Sequence, residues 1–310
     1  MPTSLQDTIR HTTTVSAPVD LAFDLVAGLQ RWPEFHGPSV HAEPLGRRDG
    51  RESFRHWWVI DDHTVRSWTG HWRFDRDTLR ISYEFEPEEP GAAPSRGQFA
   101  FLSLSDTRTE IRAEQAAAGP GTFSADRVDQ ELRELLERFR FAAEHAERRH
   151  DLVVDFEDPL FVAAPPDDAY RYLYEADKWP ERIPHVSRLV LEEPVPNVQF
   201  FDMDTRTPDG SAHTTRSVRV CLPGTLIVYK QIHLPKLLDG HTGHWRFTAT
   251  REGTVLAARH TATIKPEALS ILGPGTTVLD ARRYLRRVLS ANSMSNLRLA
   301  KAYAEERAGV

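Results

Sequence analysis

Hydrophobic and polar positions alternate over the first part of the chain and then change period. The alternation from Thr8 to Val15 predicts a strand. Apolar residues recur at helical spacing between Leu21 and Leu29, after Pro18, which suits the first turn of a helix. Pro33 ends that helix, because the residue before a proline avoids the helical conformation. Turn-forming residues separate the strand-like segments that follow, at about 38–46, 51–60, 64–74, 78–86, 96–104 and 109–116.

A second helical pattern closes this half of the chain. An apolar stripe from Val128 to Ala146 predicts a helix from Ser124 to about Arg149. The second half repeats the order, with a strand at 152–162, a helix at 166–177 and a last helix at about 276–306. Six strands are predicted between those helices, near 186–193, 197–206, 212–222, 225–232, 241–250 and 254–264. This order indicates an α+β fold in which each half forms a seven-stranded antiparallel sheet around a long C-terminal helix.

The repeated order is accompanied by repeated residues. Val15-Ser16-Ala17-Pro18 leads to Trp32-Pro33-Glu34, and Val162-Ala163-Ala164-Pro165 leads to Trp179-Pro180-Glu181 at a constant offset of 147. Solenoid repeats have periods of roughly 20–50 residues, so an offset of this size indicates two whole domains. We expect them at residues 1–150 and 151–310.

One further identity does not fit this offset. The hexapeptide Thr-Gly-His-Trp-Arg-Phe occurs at Thr69–Phe74 and again at Thr242–Phe247, an offset of 173. The first copy falls on the fourth predicted strand of its half and the second on the sixth. Ser95–Phe101 is the better partner of the second copy, at an offset of 146, so we interpret the identity as chance or local convergence.

Composition narrows the possible functions. The net charge of −6 gives no support to nucleic-acid binding. No apolar run approaches the ~20 residues of a membrane span, and no secretory signal is visible. The single cysteine, Cys221, agrees with a reducing cytoplasm, where we expect the protein to act. No histidine pair has zincin-like spacing and no Gly-rich phosphate loop or nucleophile elbow is present, so we expect neither a metal nor a cofactor.

Short motifs in a matching order carry a family resemblance. The Ala-Pro and Trp-Pro-Glu segments, Arg66-Ser67-Trp68-Thr69 and Ala291-Asn292-Ser293 resemble the polyketide aromatase/cyclases of the Bet v 1-like, START-related helix-grip superfamily. The duplicated form resembles the didomain members from bacterial type II polyketide synthases. The resemblance implies two tandem helix-grip domains and a cofactor-independent enzyme. Its substrate would be a poly-β-ketone on an acyl carrier protein, and other polyketide synthase subunits are possible partners.

Such proteins direct an intramolecular aldol condensation of the first ring and the dehydration that aromatises it. Monodomain relatives carry Trp-Thr-Ser-x-Arg on one strand, with the Trp, Ser and Arg facing the pocket. The second half has Ser217 and Arg219 at the last two of these positions, whereas the first half has Gly70 and Trp72. An arginine there could stabilise a developing enolate oxygen but could not act as a base. The alternative is an exposed arginine, with Val218 and Val220 facing the core.

Asn292 is the candidate on the last helix. It lies between Val288 and Leu299 of the apolar stripe, which predicts a place on the buried face. A buried amide needs hydrogen-bond partners, and a substrate carbonyl or a strand backbone group would satisfy it. We therefore group Asn292 with Arg219, Ser217 and His185 as catalytic candidates.

Aromatic and cationic side chains suggest where substrate binds. Trp68 and Trp72 suit a flat ligand or a filled core, and Arg66 shares their face as the first half's best pocket cation. Trp32 and Trp179 end the first helices, where a core plug is the alternative to substrate contact.

Histidines supply candidates for proton transfer, because their ordinary pKa lies near neutrality. His185 follows the second Trp-Pro-Glu, and His213 shares strand parity with Arg219, while His56 is the first half's counterpart. For each one alone, a surface or core position is the commoner alternative.

Two functions remain open at this stage, a cyclase/aromatase and a carrier of hydrophobic ligands with the same fold. The convergence of Arg219, Ser217 and Asn292 on one cavity would favour chemistry. Acyl carrier proteins are acidic. A candidate docking patch for an acyl carrier protein is formed on the last helix by Arg282, Arg283, Arg286 and Arg287. A solvated helix face that aids only solubility is the alternative.

Overall fold

The polypeptide divides into two compact units, the first comprising residues 1–58 and 66–147, the second residues 59–65 and 148–310. The structure is a computed structural model and describes residues 8–86, 94–116, 124–206 and 212–310. Each unit contains one seven-stranded antiparallel sheet and a long helix that packs on it. The predicted α+β architecture is therefore confirmed for both halves.

In the sheet of the first unit, the first and last strands along the chain lie next to each other. The strand order is β1-β7-β6-β5-β4-β3-β2, so the chain's first strand pairs with its seventh. The strands are β1 Thr8–Val15, β2 Ser39–Arg48, β3 Arg51–Asp61, β4 Thr64–Asp75, β5 Arg80–Phe85, β6 Ser95–Ser105 and β7 Arg108–Ala116. The helices are α1 Val19–Ala27, a 3-10 turn at Leu29–Glu34 and α2 Ala125–Glu144, and α3 Ala146–Leu152 crosses the boundary between the two units.

The predicted single helix from Ser124 to Arg149 is interrupted. Ser124 caps α2 by accepting a hydrogen bond from the Arg127 N–H. At the other end the ring Nδ1 of His145 lies 2.9 Å from the Phe141 carbonyl oxygen, and His145 leaves the helical conformation. A polar side chain that bonds its own helix end stops the helix there, which periodicity alone did not reveal.

The second unit repeats this arrangement with its own sheet. Its order is β8-β14-β13-β12-β11-β10-β9, the same connectivity as in the first. The strands are β8 Val153–Val162, β9 Val186–Val195, β10 Val198–Arg206, β11 Ala212–Leu222, β12 Leu226–His233, β13 Leu238–Ala249 and β14 Thr254–Ile264. The helices are α4 Pro166–Tyr174, a 3-10 turn at Ala176–Lys178, α5 Trp179–Arg182, a 3-10 turn at Pro266–Leu272 and α6 Val278–Ala308.

Helix α6 has defined signals at both ends. Thr277 and Asp280 form a capping box, each side chain accepting from the other's backbone N–H. Gly309 ends the helix at φ 74°, a conformation that favours glycine. Between these ends, Leu297, Ala300 and Ala304 pack against residues of the sheet to form the core of this unit.

Candidate functional site

One row of side chains crosses the helix-facing side of the second sheet. Residues paired directly across neighbouring strands share a face. The register therefore aligns, from β10 to β8, Gln199, Arg219, Tyr229, Gly243, His260 and Phe156. Tyr229 belongs to the core that includes Leu297 and Ala300 of α6, so the row lies beneath that helix.

A chain of hydrogen bonds orients two buried histidines in this row and beside it. His241 Nδ1 lies 2.9 Å from Gln231 Oε1, and His241 Nε2 lies 3.1 Å from His260 Nδ1. With the Gln231 amide oxygen placed toward His241, we assign the His241 proton to Nδ1. The His260 Nδ1–H then lies between His241 Nε2 and Tyr229 Oη, which is 2.6 Å away, and the tyrosine hydroxyl donates to the Arg259 carbonyl oxygen at 3.4 Å. Both histidines are at least nine-tenths buried.

This tautomer assignment leaves His260 Nε2 as an unprotonated base. The atom is buried and has no hydrogen-bond partner among the described residues. Burial lowers the pKa of His260 to about 3, with the neighbouring His241 adding to the effect, and burial lowers the pKa of His241 to about 4. Both rings are therefore neutral at pH 7, and burial also raises the pKa of Tyr229, which stays a phenol.

Gly243 makes this arrangement possible. A Cβ atom at this position would lie 2.7 Å from Tyr229 Cζ and closer still to the backbone oxygen of Arg259. The tyrosine ring therefore crosses the sheet over the glycine to reach His260.

The first unit contains an equivalent row in which other polar residues replace the two histidines. Tyr83 passes over Gly97, and its hydroxyl donates to Gln115 Oε1 at 3.0 Å. Gln115 Nε2 in turn donates to Ser95 Oγ at 3.4 Å. Gly97 pairs with Gln115 as Gly243 pairs with His260, so glutamine and serine stand where the second unit has its two histidines.

Arg219 faces the helix side of the sheet but is engaged by the protein. The guanidinium is fully buried and donates to the carbonyl oxygens of Leu173 and Tyr174, both at 2.8 Å, and to Gln199 Oε1. The alternative of an exposed arginine is therefore wrong, because this strand is buried on both faces and Val218 and Val220 are buried as well. Only Nε has no hydrogen-bond partner in the described part of the chain.

Of the other catalytic candidates in the second unit, Ser217 shares a face of β11 with Arg219, and His185 lies outside that strand. Ser217 is buried and pairs across the strand with Phe201. His185 is half-buried between α5 and β9, and burial lowers its pKa. The His213 backbone lies on β11, but its side chain falls outside the described residues.

The prediction that Asn292 lies on the buried face is wrong, because its side chain is exposed. The buried positions of α6 shift around the helix along its length: Ala281 and Leu285 belong to one cluster, and Leu297 belongs to another. Projecting the early stripe forward therefore selected the wrong residue. One turn later Asn296 is 8% exposed, and its side-chain oxygen has no partner among the described residues. The predicted convergence of Arg219, Ser217 and Asn292 on one cavity is not observed.

The first unit places its predicted residues on an aromatic face. Trp72 is 1% exposed and packs edge to face with Trp32 at 5.9 Å between ring centroids. Trp68 is half-buried and lies 5.1 Å from Trp58, again by ring centroids. Arg66 is exposed. Burial raises the pKa of the partly buried Glu131 carboxyl on α2, and the Arg66 charge opposes that rise.

His56 occupies the middle of this face. It is buried against Trp68, Trp72 and Phe85, and its Nε2 has no partner in the described structure. Burial lowers its pKa to about 3. Among the described residues, no group of three or more His, Cys, Asp or Glu could hold a metal ion. The helices described are all too short or too polar to cross a membrane.

The fold and the buried polar row define a two-unit helix-grip protein. A sequence model of the family described as polyketide cyclase/dehydrase and lipid transport matches residues 162–283. The chain is 39% identical to the actinorhodin polyketide synthase bifunctional cyclase/dehydratase of Streptomyces coelicolor, over 95% of this chain and 96% of that protein. It is 36% identical to the granaticin counterpart of Streptomyces violaceoruber, over 95% and 93%.

Two crystal structures agree with this relationship. The di-domain ARO/CYC StfQ from the steffimycin biosynthetic pathway superposes with a TM-score of 0.93 at 71% identity, over 97% of this chain and 100% of that one. The di-domain ARO/CYC BexL from the BE-7585A pathway gives 0.85 at 34% identity, over 96% and 99%. The chain belongs to the family of bifunctional polyketide cyclase/dehydratases, as the sequence motifs predicted.

Sequence reasoning missed His241, His260 and Asn296. A sequence signal was available for His241, because the Ser95–Phe101 alignment at an offset of 146 matches it with Ser95. His260 has no such signal, since only the strand register aligns it with Gln115.

Proposed function

We propose that this protein is a polyketide aromatase/cyclase that closes and aromatises the first ring of a poly-β-ketone held on an acyl carrier protein. The observation that carries the mechanism is the bare, buried Nε2 of His260, oriented through His241 and Gln231. A base that is held in one tautomer by a second group follows the general logic of enzymatic proton transfer.

The reaction needs one group that takes and returns protons. In the aldol step a base removes a proton from an α-carbon, the resulting enolate attacks a ketone carbon, and the alkoxide takes a proton to become a hydroxyl. In the dehydration a second α-proton leaves, the carbon–carbon double bond forms, and the hydroxyl departs as water with one proton added. His260 Nε2 accepts each carbon-bound proton and returns it to oxygen, so no external acid, base or redox partner is required.

Burial keeps the His260 imidazole neutral before the substrate enolate forms. The negative charge of an enolate beside the ring favours its protonated form, and the imidazolium then gives its proton to the departing hydroxyl. Tyr229 remains protonated and keeps its hydrogen bond throughout, so it positions the ring.

Reconstitution with a minimal polyketide synthase tests the proposal. We expect the parent protein to raise the yield of the correctly cyclised aromatic product, identified by chromatography and mass spectrometry. His260→Gln introduces the residue that the first unit has at the equivalent position. It should lower the rate of product formation at least tenfold, with little change in the substrate concentration that gives the half-maximal rate. The matched control is Gln115→Asn in the first unit, which should retain activity.

The outcomes separate two claims. A parent protein that binds the intermediate without changing the product spectrum would favour a ligand carrier and refute the enzymatic function. A fully active His260→Gln variant would leave the function standing and refute the assignment of the base.

We also propose that the carrier protein docks at a cleft between α6 and the edge strand β8. The cleft has a volume of about 870 Å³, with Val154 and Phe156 of β8 on one side and five arginines of α6 on the other. Carrier proteins are acidic, so a cationic cleft favours their approach.

The arginines of this cleft differ in their engagement. Arg282 donates to the carbonyl oxygens of His150, Asp151 and Val153, at 3.1, 2.6 and 2.6 Å. Arg286 binds both carboxylate oxygens of Asp158 at 3.0 and 2.6 Å. These two side chains bind residues of α3 and β8, so we test docking with the other arginines of the cleft. The remaining exposed arginines of the cleft are Arg283, Arg287 and Arg298.

Replacing Arg283, Arg287 and Arg298 by serine should weaken association with the carrier protein, most at low salt, where screening is least. The matched control replaces three exposed arginines of the first unit, Arg47, Arg48 and Arg51. Equal weakening by both triple variants would reduce the effect to net charge and refute the cleft as the docking site.

A further inference from the structure

The two units satisfy the end of their first helix in different ways. The last carbonyl groups of a helix lack partners within the helix and must find them elsewhere. In the first unit the indole Nε1 of Trp32 donates to the Val26 carbonyl oxygen at 3.2 Å. By the offset of 147, the corresponding carbonyl of the second unit belongs to Leu173. There Arg219 is the donor, at 2.8 Å.

This exchange leaves a donor unused. Trp179 corresponds to Trp32 by the same offset, is 3% exposed, and its Nε1 has no hydrogen-bond partner in the described part of the chain. The Arg219 guanidinium lies 5.2 Å from the Trp179 ring centroid and donates to the Leu173 carbonyl oxygen, the counterpart of the one that Trp32 bonds in the first unit. In the first unit Trp72 occupies the position equivalent to Arg219. With an indole at that position, the Val26 carbonyl accepts its hydrogen bond from Trp32.

A second indole adjoins the first. Trp245 packs edge to face with Trp179, with ring centroids 5.9 Å apart, and its Nε1 likewise has no partner among the described residues. Trp245 in turn contacts Tyr229 at 5.0 Å between ring centroids, and Trp179 adjoins Arg219, so both indoles adjoin the row that includes His260. The second unit therefore buries two neutral donors in an aromatic wall beside the candidate base.

We infer that the Trp179 indole N–H binds a carbonyl oxygen of the substrate, and that Arg219 is the positioning residue that keeps this donor available. This inference rests on the proposed function for the identity of the substrate. A buried donor without a partner costs about 1–3 kcal/mol, which a carbonyl acceptor recovers on binding. A chain with ketone oxygens at every second carbon offers such acceptors along an apolar backbone, which matches donors set in aromatic walls.

The assignment also gives Arg219 a definite role. Its two terminal nitrogens donate to Leu173, Tyr174 and Gln199, and we assign its effect on substrate to its contact with Trp179. Burial lowers the pKa of the guanidinium, and the three acceptors stabilise its charge without any contribution from a ligand.

Indole resonances in a ¹⁵N-labelled sample test the inference directly, with benzoylacetone, a small aromatic 1,3-diketone, as the probe. We expect saturating benzoylacetone to shift the Trp179 indole N–H resonance downfield and to leave that of Trp32 in place. Single Trp→Phe variants provide the assignments. Trp179→Phe should weaken benzoylacetone binding about tenfold, the equivalent of one hydrogen bond of about 1.4 kcal/mol. The matched control, Trp32→Phe, should lower stability and leave binding unchanged.

Arg219→Met tests the positioning role. With the Leu173 carbonyl released, Trp179 should bond to it as Trp32 bonds to Val26, and the Trp179 resonance should cease to respond to the probe. Adding Trp179→Phe to this variant should then weaken binding no further. If Arg219→Met does not fold, the response of Trp179 in the parent protein and the affinity of Trp179→Phe still decide the matter.

A Trp179 resonance that does not move up to the solubility limit of benzoylacetone overturns the inference, as does equal weakening by Trp179→Phe and Trp32→Phe. These readouts do not require turnover. If the Trp179 resonance and the Trp179→Phe affinity respond as expected but no cyclised product forms, only the proposed function is refuted. If cyclised product forms but neither readout responds, only the donor assignment is refuted.

Discussion

Acid should destabilise the second unit by an amount set by its paired histidines. The unfolded chain binds a proton at each histidine below about pH 6.5, whereas His260 and His241 resist protonation in the folded state down to about pH 3 and 4. Stability from these groups is therefore fully present above pH 6.5 and is lost as the pH falls toward the folded pKa values. Between pH 7 and pH 5 each histidine costs about 2 kcal/mol, or about 4 kcal/mol for the pair.

His260→Gln isolates one of these contributions. The free energy of unfolding of the variant, from urea titrations followed by tryptophan fluorescence, should fall between pH 7 and pH 5 by about 2 kcal/mol less than that of the parent. The control is His150→Gln, at a side chain that is 90% exposed, and it should follow the parent. Equal pH dependence in the parent and in His260→Gln would refute the assignment of a neutral buried pair.

Three further substitutions test individual features of the fold. Gly243→Ala should destabilise by about 1–3 kcal/mol in urea titrations, because a Cβ there meets Tyr229 and the backbone of Arg259, whereas Gly37→Ala, with nothing within 4 Å, should stay within about 0.5 kcal/mol of the parent. Thr277→Ala removes the cap of α6 and should cost about 1 kcal/mol in thermal or urea unfolding. Asn296→Ala should lower the yield of cyclised product more than Asn292→Ala, since only Asn296 is buried, and the opposite order would restore Asn292 as the functional amide.

The fold was predictable because its signals are local and repeated. Alternation predicted the strands, and proline and glycine marked their ends. The constant offset from Val15 to Val162 allowed each element predicted in one half to be checked against the other half. The hexapeptide copies do fall on different strands, β4 and β13, as the strand count predicted. The break at His145 escaped because a side-chain contact to Phe141 ends the helix without any change in hydrophobic pattern.

The site was less predictable because it depends on contacts between distant strands. The family resemblance, and not strand alternation, placed Arg219 on the correct face. Its partners Leu173 and Tyr174 lie on a helix, so its hydrogen bonds could not be predicted from the strand. Asn292 was misplaced because the buried stripe of α6 shifts between two clusters. His260 acquires its significance only from the register that sets it beside Gly243.

The duplicated row explains how two units with one fold can differ in chemistry. Tyr83 and Tyr229 each cross a glycine at which any side chain would meet the ring and a neighbouring backbone oxygen, so the middle of the row tolerates little change. The residue beside the glycine contacts the tyrosine hydroxyl through one hydrogen bond, to Gln115 Oε1 in the first unit and to His260 Nδ1 in the second. Of these two partners, only the histidine can gain and lose a proton. Differences in proton transfer between the units can arise at this position because the fold constrains the tyrosine and glycine far more than their partner.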